Sequence, residues 1–383
     1  MVLKHRLGTL GCLVAVVAAP FALSRLAPAA PAARAGGRAA SDDPPEPEDP
    51  GPATPEAEPA PGDDLRALDP VVASNRHAGL GKPGPDPDDE PHGDRPRGPG
   101  RGFPVHGPWV SFYGPSKAIM PLEKVARTFR IINIDADPGV AAFTPAQIRV
   151  LKAGGRNRVI SYMNIGSCEN FRDYFKSAPP GMVPCKENLR AQRGRYSGYP
   201  TEIWMDPSNP DYQKLIVDHV ALRLAKAGVD GFYLDNLEIL EHGEQTSNGP
   251  CGPHCRQGGL ELVARLRKAF PDHLIVMQNA TSDVTRLGRT ESGPYPALLD
   301  GIAHEQVFSP EHDGQALSEL KAWKAMNLTS GGHPFFIGVE DYVGDCSKTA
   351  KAKRVYASNR AHGFSPYASD ASAGQQRICY WDF

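Results

Sequence analysis

The chain has 383 residues, with 42 Lys+Arg against 44 Asp+Glu. That balance argues against a nucleic-acid or anionic-membrane surface as its main partner. The length allows one large domain or two ordinary ones.

At the N-terminus, Lys4, His5 and Arg6 precede an apolar stretch from about Leu10 to Leu23, after which small residues gather at Ala27, Ala29 and Ala30. This is the layout of a secretory signal peptide over 1–30, and the apolar run is short for a membrane span. An uncleaved anchor is the alternative. Cys12 stands at the start of the apolar run, most of which follows it, whereas a lipoprotein cysteine would close the run. From Pro31 to Pro104 the chain holds 17 of its 38 prolines and 11 glycines, and Phe103 is its one aromatic residue. Such a segment cannot bury enough apolar surface to offset chain entropy, so 31–104 reads as a disordered linker. The folded domain is then 105–383, some 279 residues.

Within that domain, short β-rich runs alternate with helical stretches. The predicted strands begin at Val110, Arg130, Arg158, Gly231, Leu274, Gly301, Phe335 and Phe364. Amphipathic helices are expected over Asp211–Ala227, Gly259–Phe270 and Ala316–Met326, most of them closed by a Pro or Gly. Several strands are apolar on both faces, as in a buried parallel sheet. The pattern predicts an α/β fold, a (β/α)8 TIM barrel. A doubly wound sheet is the alternative, but no Gly-rich phosphate fingerprint follows the first strand.

Apart from Cys12 there are six cysteines, and an even number in an exported chain suggests disulfides. Proximity favours Cys168–Cys185, Cys251–Cys255 and Cys346–Cys379. A zinc site at Cys251, His254 and Cys255 is the rival reading, though no second ligand pair stands at finger spacing. No His-x-His follows the first strand and no HExxH occurs, which speaks against a metallohydrolase barrel. Neither metal nor organic cofactor is expected.

In such a barrel the chemistry gathers where strands end. Those positions carry Asp135, Asp137, Glu169, Asp235, Asn236, Glu238, Asn279, Glu305, Gln306, Glu340 and Asp341. A single carboxylate there is ordinarily a cap or a loop charge. Asp235 and Glu305 stand out because each ends an apolar strand and precedes an amide side chain. Two carboxyl groups on one cleft suit glycosidic cleavage, one as proton donor, the other as nucleophile or base. Glu305, beside Ala303 and Val307, reads as the better acid, and Asp235, beside Asn236, as the better anion. Tyr113, Tyr162, Tyr233 and Trp204 are candidates to stack on sugar rings, Tyr233 the weakest of them. His304 should point away from Glu305, because side chains alternate along a strand.

The stretch Ser161-Tyr162-Met163-Asn164-Ile165-Gly166-Ser167-Cys168-Glu169-Asn170-Phe171-Arg172 resembles the Y-F-S-A-G-S-W-E-x-W-R pattern of glycoside hydrolase family 114. Those are the endo-α-1,4-polygalactosaminidases and their relatives, built on a (β/α)8 barrel. Ala227-Gly228-Val229-Asp230-Gly231-Phe232-Tyr233-Leu234-Asp235-Asn236 is similar to the family's G-x-D-G-x-x-x-D-N strand. The resemblance continues through Gln278-Asn279-Ala280, His304-Glu305-Gln306 and Val339-Glu340-Asp341-Tyr342. It implies Asp235 and Glu305 as the catalytic pair. Cys168, Gln278 and Val307 depart from the pattern, where an aromatic residue, a lysine and a cysteine are expected. Glu241–Arg256 reads as an inserted loop beside the active face, closed by Cys251 and Cys255.

The resulting expectation is a secreted, monomeric glycosidase. Its partner is a galactosamine-containing, cationic polysaccharide, with α-1,4 bonds implied by the resemblance, and the mature protein has no membrane insertion and no nucleic-acid partner. Tyr113, Asp135, Asp137, Tyr162, Glu169, Asn236, Glu238, Asn279, Gln306 and Glu340 are expected to bind substrate. The surplus of strand-end carboxylates would attract protonated amino sugars and repel uronic acids. Alternatives are a non-catalytic polysaccharide-binding barrel, or a glycosidase for another partly deacetylated amino-sugar polymer, such as a cell-wall or biofilm glycan.

Overall fold

A computed structural model of the chain describes residues 102–103, 108–370 and 374–383. The export-signal reading of 1–30 and nearly all of the linker reading fall outside these residues. Gly102 and Phe103, which composition places at the linker's end, are instead packed. Phe103 is buried with its ring 5.0 Å from that of Phe336, and Arg158 Nε donates to the Gly102 carbonyl at 3.2 Å.

Eight parallel strands form the sheet: β1 (Trp109–Phe112), β2 (Ile131–Ile134), β3 (Arg158–Asn164), β4 (Gly231–Asp235), β5 (Leu274–Gln278), β6 (Gly301–Glu305), β7 (Phe336–Tyr342) and β8 (Ser365–Ser369). Each pairs with the next in sequence. Between β8 and β1 no backbone ladder runs among the described residues. That seam is joined by Trp109, whose Nε1 donates to the Ser365 carbonyl at 2.8 Å and whose ring meets Tyr367. The sheet is thus a (β/α)8 barrel closed at its last seam by side chains. Most strand residues are buried on both faces, matching their near-continuous apolar sequence.

The helices follow their local start signals. α1 (Leu122–Thr128) follows β1, and α2 (Pro145–Lys152) follows β2. Thr144 caps α2 in a reciprocal box with Gln147, and Pro145 opens its first turn. α3, over 210–227, begins at Pro210 behind the Asn209 cap and passes through a π segment, Ile216–Ala221. α4 (Pro253–Ala269) starts six residues earlier than its apolar periodicity suggests. The stretch expected as an inserted loop over Glu241–Arg256 is therefore shorter. Its end is the first turn of α4, which the Cys251–Cys255 bridge staples. α5 (Gly314–Ala325) and α6 (Thr349–Ala361) follow β6 and β7. Between β5 and β6 there are two short turns, Asp283–Arg286 and Tyr295–Leu298. Past β8, the described tail 374–383 crosses the seam instead of a helix.

All three expected disulfides are present, which removes the zinc reading of Cys251 and Cys255. Among the described residues no helix is long and apolar enough to cross a membrane. An element not foreseen from sequence is a three-stranded antiparallel sheet of Ser167–Glu169, Gln192–Arg195 and Glu202–Met205, inserted between β3 and α3. The Cys168–Cys185 bridge pins its first strand.

Candidate active site

At the C-terminal ends of the strands lies a cavity of about 540 Å³. Its walls include both carboxyl groups singled out in the sequence, Asp235 at the end of β4 and Glu305 at the end of β6. The residues after β4, β5 and β6, namely Asn236, Asn279 and Gln306, all have φ near 60°. Non-glycine residues seldom adopt this conformation and concentrate at functional sites. All three residues line the cavity.

Asn279 Nδ2 donates to Glu305 Oε2 at 3.0 Å, and its Oδ1 accepts the Glu305 amide at the same distance. The Tyr342 hydroxyl and Gln375 Nε2 donate to Glu305 Oε1. Three side-chain donors thus hold the Glu305 carboxyl in one orientation. Asp235 is held well above the usual carboxylate range, chiefly by burial and then by the Glu238 and Glu305 charges, against a hydrogen bond from Tyr162. Sequence marks Asp235 as the better anion, whereas burial and its acidic neighbours raise its carboxyl. The donors that hold Glu305 come from β5, β7 and the tail, which strand-local reading does not see.

A second network fixes Asn236. Glu202 Oε2 accepts from Asn236 Nδ2 at 2.9 Å, Asn164 Nδ2 at 3.2 Å and Ser167 Oγ at 2.5 Å. Gly166 lets the loop after β3 lie on this turn: a Cβ there would be 1.7 Å from the Asn236 carbonyl oxygen.

Arg172 gathers a third set. Its guanidinium lies 2.6 Å from Glu169, 2.9 Å from Asp135 and 3.4 Å from Asp137, and Arg223 also reaches Asp137. Asp135 and Glu169 line the cavity, whereas Asp137 is buried behind it. Burial outweighs Arg172 at both cavity members, pushing Glu169 up to about 7 and raising Asp135. Three of the surplus strand-end acids are thus already paired within the protein.

The aromatic walls differ from expectation. Tyr113 and Tyr162 do line the cavity, with rings 4.9 Å apart, and Asn133 Nδ2 donates to the Tyr113 hydroxyl at 2.8 Å. Tyr233 is buried in the core, and Trp204 is buried behind Tyr196, stacked on it at 4.0 Å. The rings offered to the cavity beside these are Tyr196, Tyr199 and Phe171, none of which stood out in the sequence. Phe171 and Tyr199 are 58% and 45% exposed, an exposure that residues of this type keep at binding rims. Asn236, Glu238, Asn279 and Gln306 line the cavity as expected, joined by Glu202, Gln278 and Gln375.

Glu340 does not line the cavity. It is buried in the barrel interior at the register of Glu305, with the Ser111 and Ser369 hydroxyls beside it. Asp341 faces the other way and accepts from the Phe308 and Ser309 amides and from Asn359. His304 Nδ1 lies 2.8 Å from the Glu305 carbonyl oxygen, and the ring is outside the cavity lining.

Residues 120–382 match the profile of glycoside-hydrolase family GH114. The chain belongs to this family. An uncharacterized protein of Thermotoga maritima is 24% identical over 264 residues, covering 65% of this chain and 77% of that one. Among solved structures, the glycoside hydrolase domain of PelA from Pseudomonas aeruginosa superposes with a TM-score of 0.52 at 17% identity. That superposition covers 71% of this chain and 96% of the PelA domain. Aspergillus fumigatus Ega3, solved in complex with galactosamine, gives a TM-score of 0.49 at 17% identity over 72% of this chain and 94% of Ega3. The GH114 match spans β2 to β8 and thus every carboxyl group of the cavity.

Proposed function

We propose that the protein is a secreted glycosidase that cleaves α-1,4 bonds in galactosamine-containing polysaccharide, with Asp235 and Glu305 as its catalytic pair. The α-1,4 bond and the sugar enter from the family resemblance. The observation that carries the cationic substrate is the charge of the cavity. Six carboxyl groups line it, from Asp135, Glu169, Glu202, Asp235, Glu238 and Glu305, against one guanidinium, that of Arg172. Asp135 and Glu169 already hold Arg172, so the carboxyl groups left without a cation lie on the Asp235, Glu238 and Glu305 side. A protonated amino sugar would compensate these crowded carboxyl groups, whereas a uronic acid would add a further like charge.

One carboxyl group of the pair protonates the leaving oxygen, while the other attacks the anomeric carbon or activates water. Asn279, Tyr342 and Gln375 keep the Glu305 carboxylate in one orientation, and Asn236, held by Glu202, lies beside Asp235. Tyr113, Tyr162, Tyr199 and Phe171 offer faces for sugar rings. The three disulfides support an oxidising compartment, in keeping with an export signal over 1–30 and a linker before the barrel.

The test is incubation of the domain with free-amine, N-acetylated and uronic-acid polymers, followed by mass analysis of products. Cleavage of the amine form well above the others is expected, weakening as salt rises because surface charge is screened over about 8–10 Å. Equal rates on all three would reject the cationic substrate. Asp235→Asn and Glu305→Gln are each expected to abolish turnover with the thermal midpoint held within a few degrees. The variant that recovers on substrates with an activated leaving group is the one that lost the acid.

A further inference from the structure

Resting on that reading, we propose that Glu238, with the Tyr196 and Tyr199 rings beside it, recognises the substrate's ammonium group and so selects a deacetylated sugar over its N-acetylated form. Glu238 stands three residues past Asp235, in the turn Leu237–Glu241, and lines the cavity. The Tyr196 hydroxyl donates to its Oε1 at 3.3 Å. Its Oε2 is buried and accepts no hydrogen bond from another described residue. A buried carboxylate oxygen without a donor is costly, and where the protein supplies none a ligand can. Within the cavity lining, Arg172 is the one cationic side chain among the described residues, and it is held by Asp135 and Glu169.

The groups that face Glu238 are acidic or phenolic. Glu241 shares its turn, Asp235 ends β4, Glu305 ends β6, and Tyr196 comes from the inserted sheet. An ammonium would satisfy both needs at once, donating to Oε2 and compensating the charge. An acetamido group brings no charge and an added acetyl. The Tyr196 ring, stacked on Trp204, and the Tyr199 ring 4.8 Å from it line the cavity together with Glu238. Burial above all, with the Glu241 and Glu305 charges, pushes the Glu238 carboxyl up to about 8 against hydrogen bonds from its own amide and from Tyr196. At neutral pH the free protein therefore carries a proton on Glu238. An incoming ammonium displaces that proton to solvent, leaving a carboxylate–ammonium pair.

Wild type, Glu238→Gln and Glu238→Asp are compared on galactosamine oligomers with free amines and on their N-acetylated counterparts. The amine-over-acetyl ratio of kcat/KM is expected to fall on the order of tenfold to a hundredfold in Glu238→Gln, mainly through KM. Glu238→Asp, which keeps the charge, is expected to retain most of the preference. Calorimetry at pH 7 in two buffers of different ionisation heat should record about one proton released when wild type binds a galactosamine oligomer. An unchanged ratio in Glu238→Gln overturns the inference, as does equal loss in Gln and Asp or binding without proton release. Where Glu238→Gln does not fold, proton release by wild type decides. Absence of hydrolysis of both oligomers by wild type would reject the glycosidase reading instead, and the calorimetric result would still judge Glu238.

Discussion

Glu340 sits inside the barrel, one strand over from Glu305 and closed off from the cavity. Burial, then the Glu305 and Asp341 charges, holds its carboxyl well above the usual range. In the unfolded chain a glutamate titrates near pH 4.3, so between that pH and its raised value the folded protein binds one more proton. Stability from this group is complete in acid and declines by about 1.4 kcal/mol per pH unit across that window. Glu340→Gln removes the slope. Urea unfolding should find the variant more stable than wild type at pH 8, with the gain shrinking toward pH 4, and an equal gain at both would count against this account. Arg172 is the opposite case. Arg172→Met leaves Glu169, Asp135 and Asp137 crowded without their shared cation, and the expected loss is about 3–5 kcal/mol at pH 7, smaller in acid. The strand-end carboxyls were legible because β4 and β6 end in apolar runs that place Asp235 and Glu305 at the rim. Glu202 and Gln375 were not, and Tyr342 entered only within a stretch of family resemblance, since each acts on a residue more than thirty positions away.

At the scale of elements, the starts of all eight strands could be read to within one residue from their apolar, β-branched runs. The small sheet could not, because a segment such as Gln192–Arg195, of sequence QRGR, carries no alternation to reveal a strand. α4 was read too short for a related reason: its first turn, Pro-His-Cys-Arg, is set by Pro253 and the Cys251–Cys255 bridge and not by apolar spacing. The contact of the β3 loop with the turn after β4 is the tightest joint between these elements. Gly166→Ala would drive a methyl group into the Asn236 carbonyl. The expected cost is about 1–3 kcal/mol in urea unfolding, together with a loss of turnover larger than the loss of stability explains, since Asn236 adjoins Asp235. Wild-type turnover in this variant would mean that the turn is free to shift.

For the whole molecule, the part beyond β8 matters most. The Tyr113 amide donates to the Gln375 carbonyl, the Tyr367 hydroxyl accepts the Cys379 amide, and Trp381 Nε1 donates to Ala368. The tail therefore bridges β1 and β8 where no ladder joins them. The Cys346–Cys379 bridge spans 33 residues and fastens the tail to the loop after β7. In the loop-entropy account its removal, as Cys346→Ser with Cys379→Ser, is expected to lower stability by about 3–4 kcal/mol. A loss below about 1 kcal/mol would show that the tail holds the seam without it. The same strap carries Gln375, one of the three side chains that hold Glu305. Shape and turnover thus have different sensitivities to electrons. A mild thiol reductant should silence the enzyme, through a Glu305 that wanders, at concentrations that leave its circular dichroism unchanged. On the function proposed above, turnover would then require a setting that keeps this strap oxidised.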